Sequence, residues 1–385
     1  MRVLVTASPG LGHMLPMVSI SWALRAAGHE VLLAMAGSGA QHVPTLAASG
    51  LHVVETQPYE SVVRLIDAAH ASMDIQAVQQ MIREASRDVE RLIGFGAQVF
   101  APQSDLVADT VVAIADEWRP DLVVHSPIDG AGPLAAAKLG VPAVEQAYGL
   151  LSAEDQVTQV AEALTDTYRR HGVDGPPTRH ALLNVAPPSM GTPDLGWAMR
   201  YVPFNGGGQL PDWLLHRPDR PRVIVTIGTV IPGLVGLGPL QWLADVAGGF
   251  DAEFVVTLDN AEAGQFGALP DNVRPVSYTP LNALLATSTA VVHHGGAGST
   301  MTSLAMGVPQ LVVPQGSDQF HNAREVTKRG VGFEVDTAVA PVDANDVTRL
   351  LTDASLATAA AEVKAEIAAQ PAPADLVPRL VELVG

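Results

Sequence analysis

The chain has 385 residues, of which 48% are hydrophobic, and this composition predicts two folded domains. Its 22 basic and 40 acidic residues give a formal charge of −18, which argues against a nucleic-acid or anionic-membrane partner. The chain has no cysteine, so disulfides, thiolate nucleophiles and thiolate metal sites are excluded. No signal-like amino end and no uncharged run of about 18–20 residues is present, so we expect a cytoplasmic protein without stable membrane insertion.

The amino-terminal half begins with the pattern of a βαβ unit. Residues 3–6 predict a buried strand, a glycine-containing loop reaches His13, and apolar residues then recur at helical spacing over 15–27. A second strand is predicted over 30–36. The loop resembles the dinucleotide motif G-x-G-x-x-G, but Leu15 takes the third glycine position. A nicotinamide or flavin cofactor is therefore not expected.

Further strands are predicted over 50–55, 120–126 and 141–146, in alternation with Ala-rich helices. Short β-branched runs that alternate with helices are typical of a parallel, doubly wound sheet. Ligands of such sheets bind beyond the carboxyl ends of the strands. We therefore expect His13 and Asp129 to lie on the same edge of this sheet.

A break in composition divides the chain. Three consecutive glycines at 206–208 suit neither a helix nor a strand, so they predict an interdomain linker. The strand pattern then restarts, with predicted strands over 222–227, 253–258, 273–277, 289–293 and 309–313. We predict an amino-terminal domain over 1–204, a linker over 205–220 and a carboxyl-terminal domain over 221–370. A last helix over 371–385 is expected to dock back on the amino-terminal domain.

The segment 293–300, with the sequence HHGGAGST, follows one of these strands and leads into a helix. Small residues let backbone N–H groups approach a ligand, and a helix start adds unpaired donors, so this loop predicts a phosphate site. The negative charge of the chain does not oppose this, because distant carboxylates are screened by salt while the loop acts in direct contact. The next strand ends in a polar loop at 315–319 that could hold hydroxyl groups.

Together, several segments resemble actinomycete natural-product glycosyltransferases, which attach deoxysugars to antibiotics such as calicheamicin and urdamycin. These segments are 8–16, 202–208, 226–229, 278–281, 293–300 and 314–319. The resemblance implies the GT-B fold, an α/β architecture of two doubly wound Rossmann-like domains facing across a cleft. It also implies inverting, metal-independent transfer, and the chain contains no D-x-D pair.

The resemblance further implies a dTDP-deoxysugar as co-substrate in the carboxyl-terminal domain, with no other cofactor. The partner on the amino-terminal domain would be a hydrophobic small-molecule acceptor, and the sequence leaves a homodimer open. Tyr278 is expected to stack on the pyrimidine, Asp318 and Gln319 to bind sugar hydroxyls, and His294 to be structural. The expected diphosphate ligands are the His293 side chain, Thr229, and backbone N–H groups around Gly295, Gly296, Ala297, Gly298 and Ser299.

By resemblance, His13 is the general base that removes the proton of the acceptor. A phenol has a pKa near 10 and is protonated at neutral pH, so a positioned imidazole assists its attack. Many relatives orient this histidine with an aspartate, and the matching position here is Ser126. Asp129, three residues further on, could assist His13 or could itself be the base. Removal of the phenolic proton starts either O- or C-glycosylation, so the base does not distinguish them.

Two other functions fit the same pattern. A sugar-nucleotide epimerase could use the same architecture and diphosphate loop. A non-catalytic nucleotide-sugar-binding subunit could retain the donor loop without turnover. His13 together with the complete donor loop favours the transferase.

Overall fold

The computed structural model describes residues 1–71, 75–86, 88–228, 236–258, 264–266 and 269–385. The chain divides into two compact units. The amino-terminal unit comprises Met1–Gly207 and Ala369–Gly385, and the carboxyl-terminal unit comprises Gly208–Ala368. None of the helices formed by these described residues is long and apolar enough to cross a membrane.

The described strands of the amino-terminal unit form one seven-stranded sheet in the order β3-β2-β1-β4-β5-β6-β7, with every pair parallel. These strands are β1 (Arg2–Thr6), β2 (Glu30–Met35), β3 (His52–Glu55), β4 (Leu122–His125), β5 (Ala143–Gln146), β6 (His180–Asn184) and β7 (Trp197–Ala198). The order reverses between β1 and β4, where Thr6 pairs with His125. Ligands of doubly wound sheets bind at this reversal point.

Helices connect the strands of this unit. They are α1 (Leu11–Met14), α2 (Met17–Ala26), α3 (His42–Ala47), α4 (Tyr59–Ala71), α5 (Ile75–Ala85), α6 (Val89–Trp118), α7 (Ala131–Leu139), α8 (Gln156–Ala163) and α9 (Thr165–Arg170). The helix α6 packs against α7 and α8. The interior of the unit is built mainly from Val, Leu and Ala, and Leu4, Val123 and Leu134 in it are completely buried.

The described strands of the carboxyl-terminal unit form a six-stranded parallel sheet in the order β10-β9-β8-β11-β12-β13. They are β8 (Arg222–Thr226), β9 (Glu253–Thr257), β10 (Val273–Val276), β11 (Ala290–His293), β12 (Gln310–Val312) and β13 (Gly332–Glu334). The helices are α10 (Trp242–Val246), α11 (Leu281–Leu285), α12 (Ala297–Met306), α13 (Gln319–Arg329), α14 (Ala344–Thr352) and α15 (Ala354–Ala369). Here the reversal lies between β8 and β11, so the end of β11 is the expected ligand edge.

The last helix, α16 (Pro373–Val384), belongs to the amino-terminal unit and packs against α2. The segment that leads into it is held by backbone and side-chain bonds. The Arg200 N–H donates to the Pro371 carbonyl over 2.8 Å, and the Gln370 side chain donates to the Ala186 carbonyl over 2.7 Å. Leu376 and Leu380 form the buried side of this helix, while Val381 is 43% exposed.

The predicted strands are confirmed, with ends that differ by one or two residues. The sequence did not predict the two outer strands β6 and β7, nor β13. The shortest of these, β7 and β13, have two and three residues. Strands this short carry too few residues for an apolar pattern to be recognised, and neighbouring strands define them.

Candidate active site

His13 lies in the short helix α1, which follows the β1 strand at the reversal point of its sheet. Its partly exposed imidazole lies between two aromatic rings. The Phe100 ring from α6 is 5.3 Å away between centroids at an interplanar angle of 65°. The Tyr148 ring, just after β5, is 5.0 Å away at 85°. Both contacts have edge-to-face geometry, which is a favourable arrangement for ring pairs.

Burial sets the protonation state of His13. Its Nδ1 atom is buried and has no hydrogen-bond partner among the described residues. Burial lowers the pKa of His13 to about 4, because the apolar surroundings disfavour the charged imidazolium. The side chain is therefore neutral at pH 7 and able to accept a proton.

The Asp129 side chain is hydrogen-bonded to other groups of its own unit. Its carboxylate accepts from the Thr6 hydroxyl over 2.5 Å and from the Ala131 and Gly132 N–H groups over 3.1 and 3.3 Å. No hydrogen bond joins it to His13 among the described residues. Burial raises the pKa of Asp129, although these bonds oppose the shift. Asp129 therefore ties the start of α7 to β1, and the expectation that it assists His13 or is itself the base stays a prediction.

Neighbouring residues show why this arrangement is rigid. A Cβ atom at Gly132 would lie 2.1 Å from Thr6 Oγ1 and 2.9 Å from Asp129 Oδ2, so only glycine fits there. Ser126, at the position where the resemblance implied an aspartate, accepts from the Ser8 N–H over 3.2 Å. It therefore anchors the start of the loop that leads to His13.

The His293 side chain is bonded through both ring nitrogens inside its own unit. His293 is 1% exposed, and its Nδ1 accepts from the Gly295 N–H over 3.0 Å. Its Nε2 is 2.8 Å from Gln310 Oε1. Because Nδ1 accepts, Nε2 carries the proton and donates to Gln310. With both ring nitrogens paired inside the unit, this side chain shapes the loop, and its expected contact with the diphosphate stays a prediction.

Gly295 is likewise internal, and its expected role as a diphosphate donor stays a prediction. Its N–H is used by His293, and its carbonyl accepts from the Asn322 side chain over 2.8 Å. It has a φ of 90°, and a Cβ there would lie 2.8 Å from Val312 Cγ1. Glycine is thus required for close packing and for the left-handed backbone.

His294, expected to be structural, is the partly exposed member of the pair. A Cβ at Gly296 would lie 2.4 Å from its Nε2, and a Cβ at Gly228 would lie 2.6 Å from its Cε1. The two glycines therefore make room for this imidazole. Burial and the neighbouring His293 lower its pKa to about 3, so the ring is neutral. His294 is thus the more exposed of the two rings, although it is packed against two glycines.

The start of α12 provides the remaining donors. Gly296, Gly298 and Ser299 are partly exposed, and the N–H groups of a first helical turn have no carbonyl partner within the helix. No atom would meet a Cβ at Gly298 within 4 Å, so the space beside it is open. The Ala297 N–H donates to Asp318 instead. The accessible anion-binding groups are therefore fewer than expected.

Asp318 and Gln319 lie in the loop after β12, next to this helix start. The Asp318 carboxylate accepts from the Asn322 side chain over 2.9 Å and from Ala297, and burial raises its pKa. The Gln319 side-chain oxygen Oε1 accepts from the Gln315 and Gly316 N–H groups over 2.8 and 3.2 Å. Both side chains thus order their loop, and the Gln319 oxygen is occupied by it.

Tyr278 follows β10 and is 57% exposed, so its ring is accessible for stacking. Thr229 lies outside the described residues. Sequence reasoning missed Phe100 and Tyr148, which only the fold brings to His13. It also missed Gln310 and Asn322, which make hydrogen bonds to the loop at 293–300. Within the described part of the chain, no group of three or more His, Asp or Glu side chains could hold a metal ion.

Comparison with solved structures defines the class of protein. The glycosyltransferase SnogD from Streptomyces nogalater is 38% identical and superposes with a TM-score of 0.81, over 100% of this chain and 99% of that one. SsfS6, a glycosyltransferase from Streptomyces sp. SF2575 solved with thymidine diphosphate, is 34% identical with a TM-score of 0.78 over 99% of each chain. The chain is therefore a glycosyltransferase with the two parallel α/β domains of the GT-B fold.

Sequence comparison gives the family. The amino-terminal domain of the erythromycin biosynthesis protein CIII-like family matches residues 22–228, and its carboxyl-terminal domain matches residues 241–383. Elloramycin glycosyltransferase from Streptomyces olivaceus is 39% identical over 383 residues, which cover 99% of this chain and 97% of that protein. The chain belongs to the erythromycin biosynthesis protein CIII-like family of antibiotic deoxysugar glycosyltransferases. The resemblance found from its motifs is thereby confirmed.

Proposed function

We propose that this chain transfers a deoxysugar from a dTDP-sugar to a hydrophobic aromatic or polyketide aglycone. The transfer is an inverting, metal-independent displacement with His13 as the general base. The observation that carries the proposal is the neutral, partly exposed imidazole of His13 at the reversal point of its sheet. The thymidine diphosphate held by the relative SsfS6 supports the choice of nucleotide.

On the donor side, the start of α12 binds the diphosphate. The N–H groups of Gly296, Gly298 and Ser299 point from a partly exposed helix terminus, whose partial positive charge favours an anion. His294 lies beside them as a neutral ring. These donors stabilise the charge that grows on the leaving diphosphate, which is the task of a metal ion in other transferases. No further cofactor is then required.

The other donor residues bind the nucleoside and the sugar. The exposed Tyr278 ring stacks on the pyrimidine. Gln319 keeps its amide nitrogen for a sugar hydroxyl, since its oxygen is held by the loop. Asp318 lies next to it and accepts a second hydroxyl, in exchange for one of its present partners.

In the reaction, the acceptor O–H bond breaks and its proton passes to the His13 imidazole. The acceptor forms a bond to the anomeric carbon on the face opposite the diphosphate. The bond from that carbon to the diphosphate oxygen breaks, and dTDP leaves with the electron pair. A carbon atom of the same deprotonated phenol can attack instead, so both O- and C-linked products are open to this base.

The test uses the His13→Ala variant with His52→Ala as control, since His52 is an exposed residue of β3. We expect His13→Ala to lower kcat at least 100-fold while the Kd for dTDP stays within twofold, because the general base contributes on the order of 10²–10⁴. His52→Ala should match the native enzyme. Substantial residual turnover in His13→Ala would show that His13 is not the general base.

Incubation of the donor without acceptor separates the transferase from the epimerase. An epimerase converts the dTDP-sugar by itself, whereas the proposed enzyme leaves it as the same sugar until an acceptor is added. Binding of dTDP without turnover over a broad acceptor panel would support the non-catalytic subunit instead.

A further inference from the structure

We infer that this enzyme selects flat aromatic acceptors that react through a phenolic hydroxyl, with Phe100 and Tyr148 as the residues that determine this specificity. The inference rests on the proposed function. It deepens that function, because an aliphatic hydroxyl of a polyketide would otherwise serve equally well as the acceptor.

The first argument is the shape of the surroundings of His13. Phe100 and Tyr148 come from different elements and flank the imidazole at 5.3 and 5.0 Å, both edge to face. All three side chains are partly exposed, so an incoming molecule meets aromatic surface next to the base. Aromatic walls favour a flat aromatic guest, since ring pairs in offset or edge geometry stabilise by about 0.5–1.5 kcal/mol.

The two walls are held in place by the fold. Phe100 lies in the 30-residue helix α6, and Tyr148 follows β5 by two residues. The Gln146 side chain at the end of β5 donates to the Pro16 carbonyl over 2.6 Å. This bond ties the strand that precedes Tyr148 to the segment just after His13. This bond therefore helps to set the spacing between His13 and the Tyr148 ring.

The second argument is the absence of a carboxylate at His13. Asp129, the acidic residue expected there, is fully engaged with Thr6 and the start of α7. Burial is the cause that lowers the pKa of His13 to about 4, and no neighbouring charge opposes it. An imidazolium formed during the reaction would have no counter-ion among the described residues. His13 is thus a weaker base than a carboxylate-paired histidine.

A weak base needs an acidic acceptor. A phenol has a pKa near 10, whereas an aliphatic hydroxyl is about as weakly acidic as water, at ~15.7. For the same base, the equilibrium for removing the proton is therefore about 10⁵–10⁶-fold more favourable for the phenol. Part of this difference appears in the rate, because the rate of general-base catalysis depends in part on the acidity of the acceptor hydroxyl.

The test compares two acceptors of the same flat shape, 2-hydroxyanthraquinone and 2-(hydroxymethyl)anthraquinone, with dTDP-glucose and dTDP-rhamnose as donors. We expect kcat/KM for the phenol to exceed that for the alcohol by at least 100-fold. Equal rates or a preference for the alcohol would overturn the inference while leaving the proposed function intact. Transfer to aliphatic aglycones but to neither anthraquinone would also overturn it. Absence of transfer to every acceptor in a wide panel would overturn both.

The walls are tested with Phe100→Leu and Tyr148→Phe, with Phe204→Leu as control because Phe204 contacts Trp22 instead. We expect Phe100→Leu to raise KM for the phenol at least tenfold and leave the dTDP Kd unchanged. It should also move the acid limb of kcat/KM upward from about pH 4, since His13 becomes less buried. Tyr148→Phe keeps the ring, so its KM should stay within threefold. A Phe100→Leu variant that loses thermal stability but keeps KM and the acid limb would show a merely structural role.

Discussion

In the proposed mechanism the general base is His13. It is accessible enough to meet a substrate, yet its Nδ1 is buried without a partner and its pKa is lowered to about 4 by burial. Histidines paired with a carboxylate keep a higher pKa, because the carboxylate stabilises the cation. In the proposed mechanism, the environment of this one side chain determines the pH range of the enzyme and the acidity of the acceptor it can use.

The pH profile of kcat/KM tests this description of His13. Because a neutral imidazole is required, activity should persist as pH falls below 6.5 and decline only near pH 4. Short assays at pH 4–8, with stability checked at each pH, would measure this decline of kcat/KM at acid pH. A decline centred near pH 6.5–7 would show a solvated or carboxylate-paired histidine instead.

His293 provides a second prediction for a single side chain. Replacement by Ala leaves the Gly295 N–H and the Gln310 side chain without their partner in a buried loop. We expect His293→Ala to lower the free energy of unfolding by about 2–4 kcal/mol, measured with urea. The exposed His216→Ala in the same unit is the control, with a change below about 0.5 kcal/mol. Unchanged stability of His293→Ala together with weakened dTDP binding would show that His293 is a diphosphate ligand.

Among the secondary-structure elements, the bond between Thr6 and Asp129 joins β1 to the start of α7. The strand β1 ends, and α7 begins, at the reversal point of the sheet. This bond therefore holds the position from which the loop to His13 extends. The carboxyl-terminal unit contains a similar bond. Asp318 accepts from Ala297 and Asn322, and thereby joins the starts of α12 and α13. In each unit, a carboxylate joins two neighbouring elements, and these elements in turn position the proposed site.

The Thr6→Val variant tests the positioning role of Asp129. It removes the hydroxyl that donates to the buried carboxylate, so we expect a loss of about 1–3 kcal/mol in unfolding free energy. The acid limb of kcat/KM should stay where it is, because Asp129 does not contact His13. Thr358→Val, at an exposed helical position, is the matched control. A displaced acid limb in Thr6→Val would show that Asp129 acts on His13 after all.

At the scale of the whole molecule, buried histidines make stability depend on pH. Burial lowers the pKa of His13, His180 and His293 to about 4, and of His125 and His294 to about 3. In the unfolded chain these groups take up protons near pH 6.5, so the unfolded state gains protons that the folded state lacks. Their contribution to stability is complete above pH 6.5 and is lost as pH falls towards 4.

Glu145 acts in the opposite direction. Burial raises its pKa to about 8, so it binds a proton in the folded state between about pH 4.5 and 8 that the unfolded state releases. Its contribution is complete below pH 4.5 and is lost as pH rises through 8. We therefore expect the highest Tm near pH 7, with a fall on both sides in a calorimetric series. Glu145→Gln should remove the alkaline fall, and a Tm that does not change between pH 4 and 9 would contradict both shifts.

The two-domain parallel fold could be predicted because apolar runs such as 122–125 and 290–293 recur with helices between them. The positions of His13 and the donor loop follow from the rule that ligands bind at strand ends. The division between His293 and His294 could not be predicted, because it depends on the Gln310 side chain of the next strand. The same holds for Asp129, whose partner Thr6 is 123 residues away.

The most direct test of the central claim is mass spectrometry of the products from dTDP-sugars and aromatic or polyketide aglycones, run with and without a chelator. The account predicts a product heavier by one sugar, dTDP release in equal amount, and the same yield with EDTA. Acid hydrolysis of the product then separates O- from C-linked sugars. Donor that stays unconverted with every acceptor, or transfer that the chelator abolishes, would contradict it.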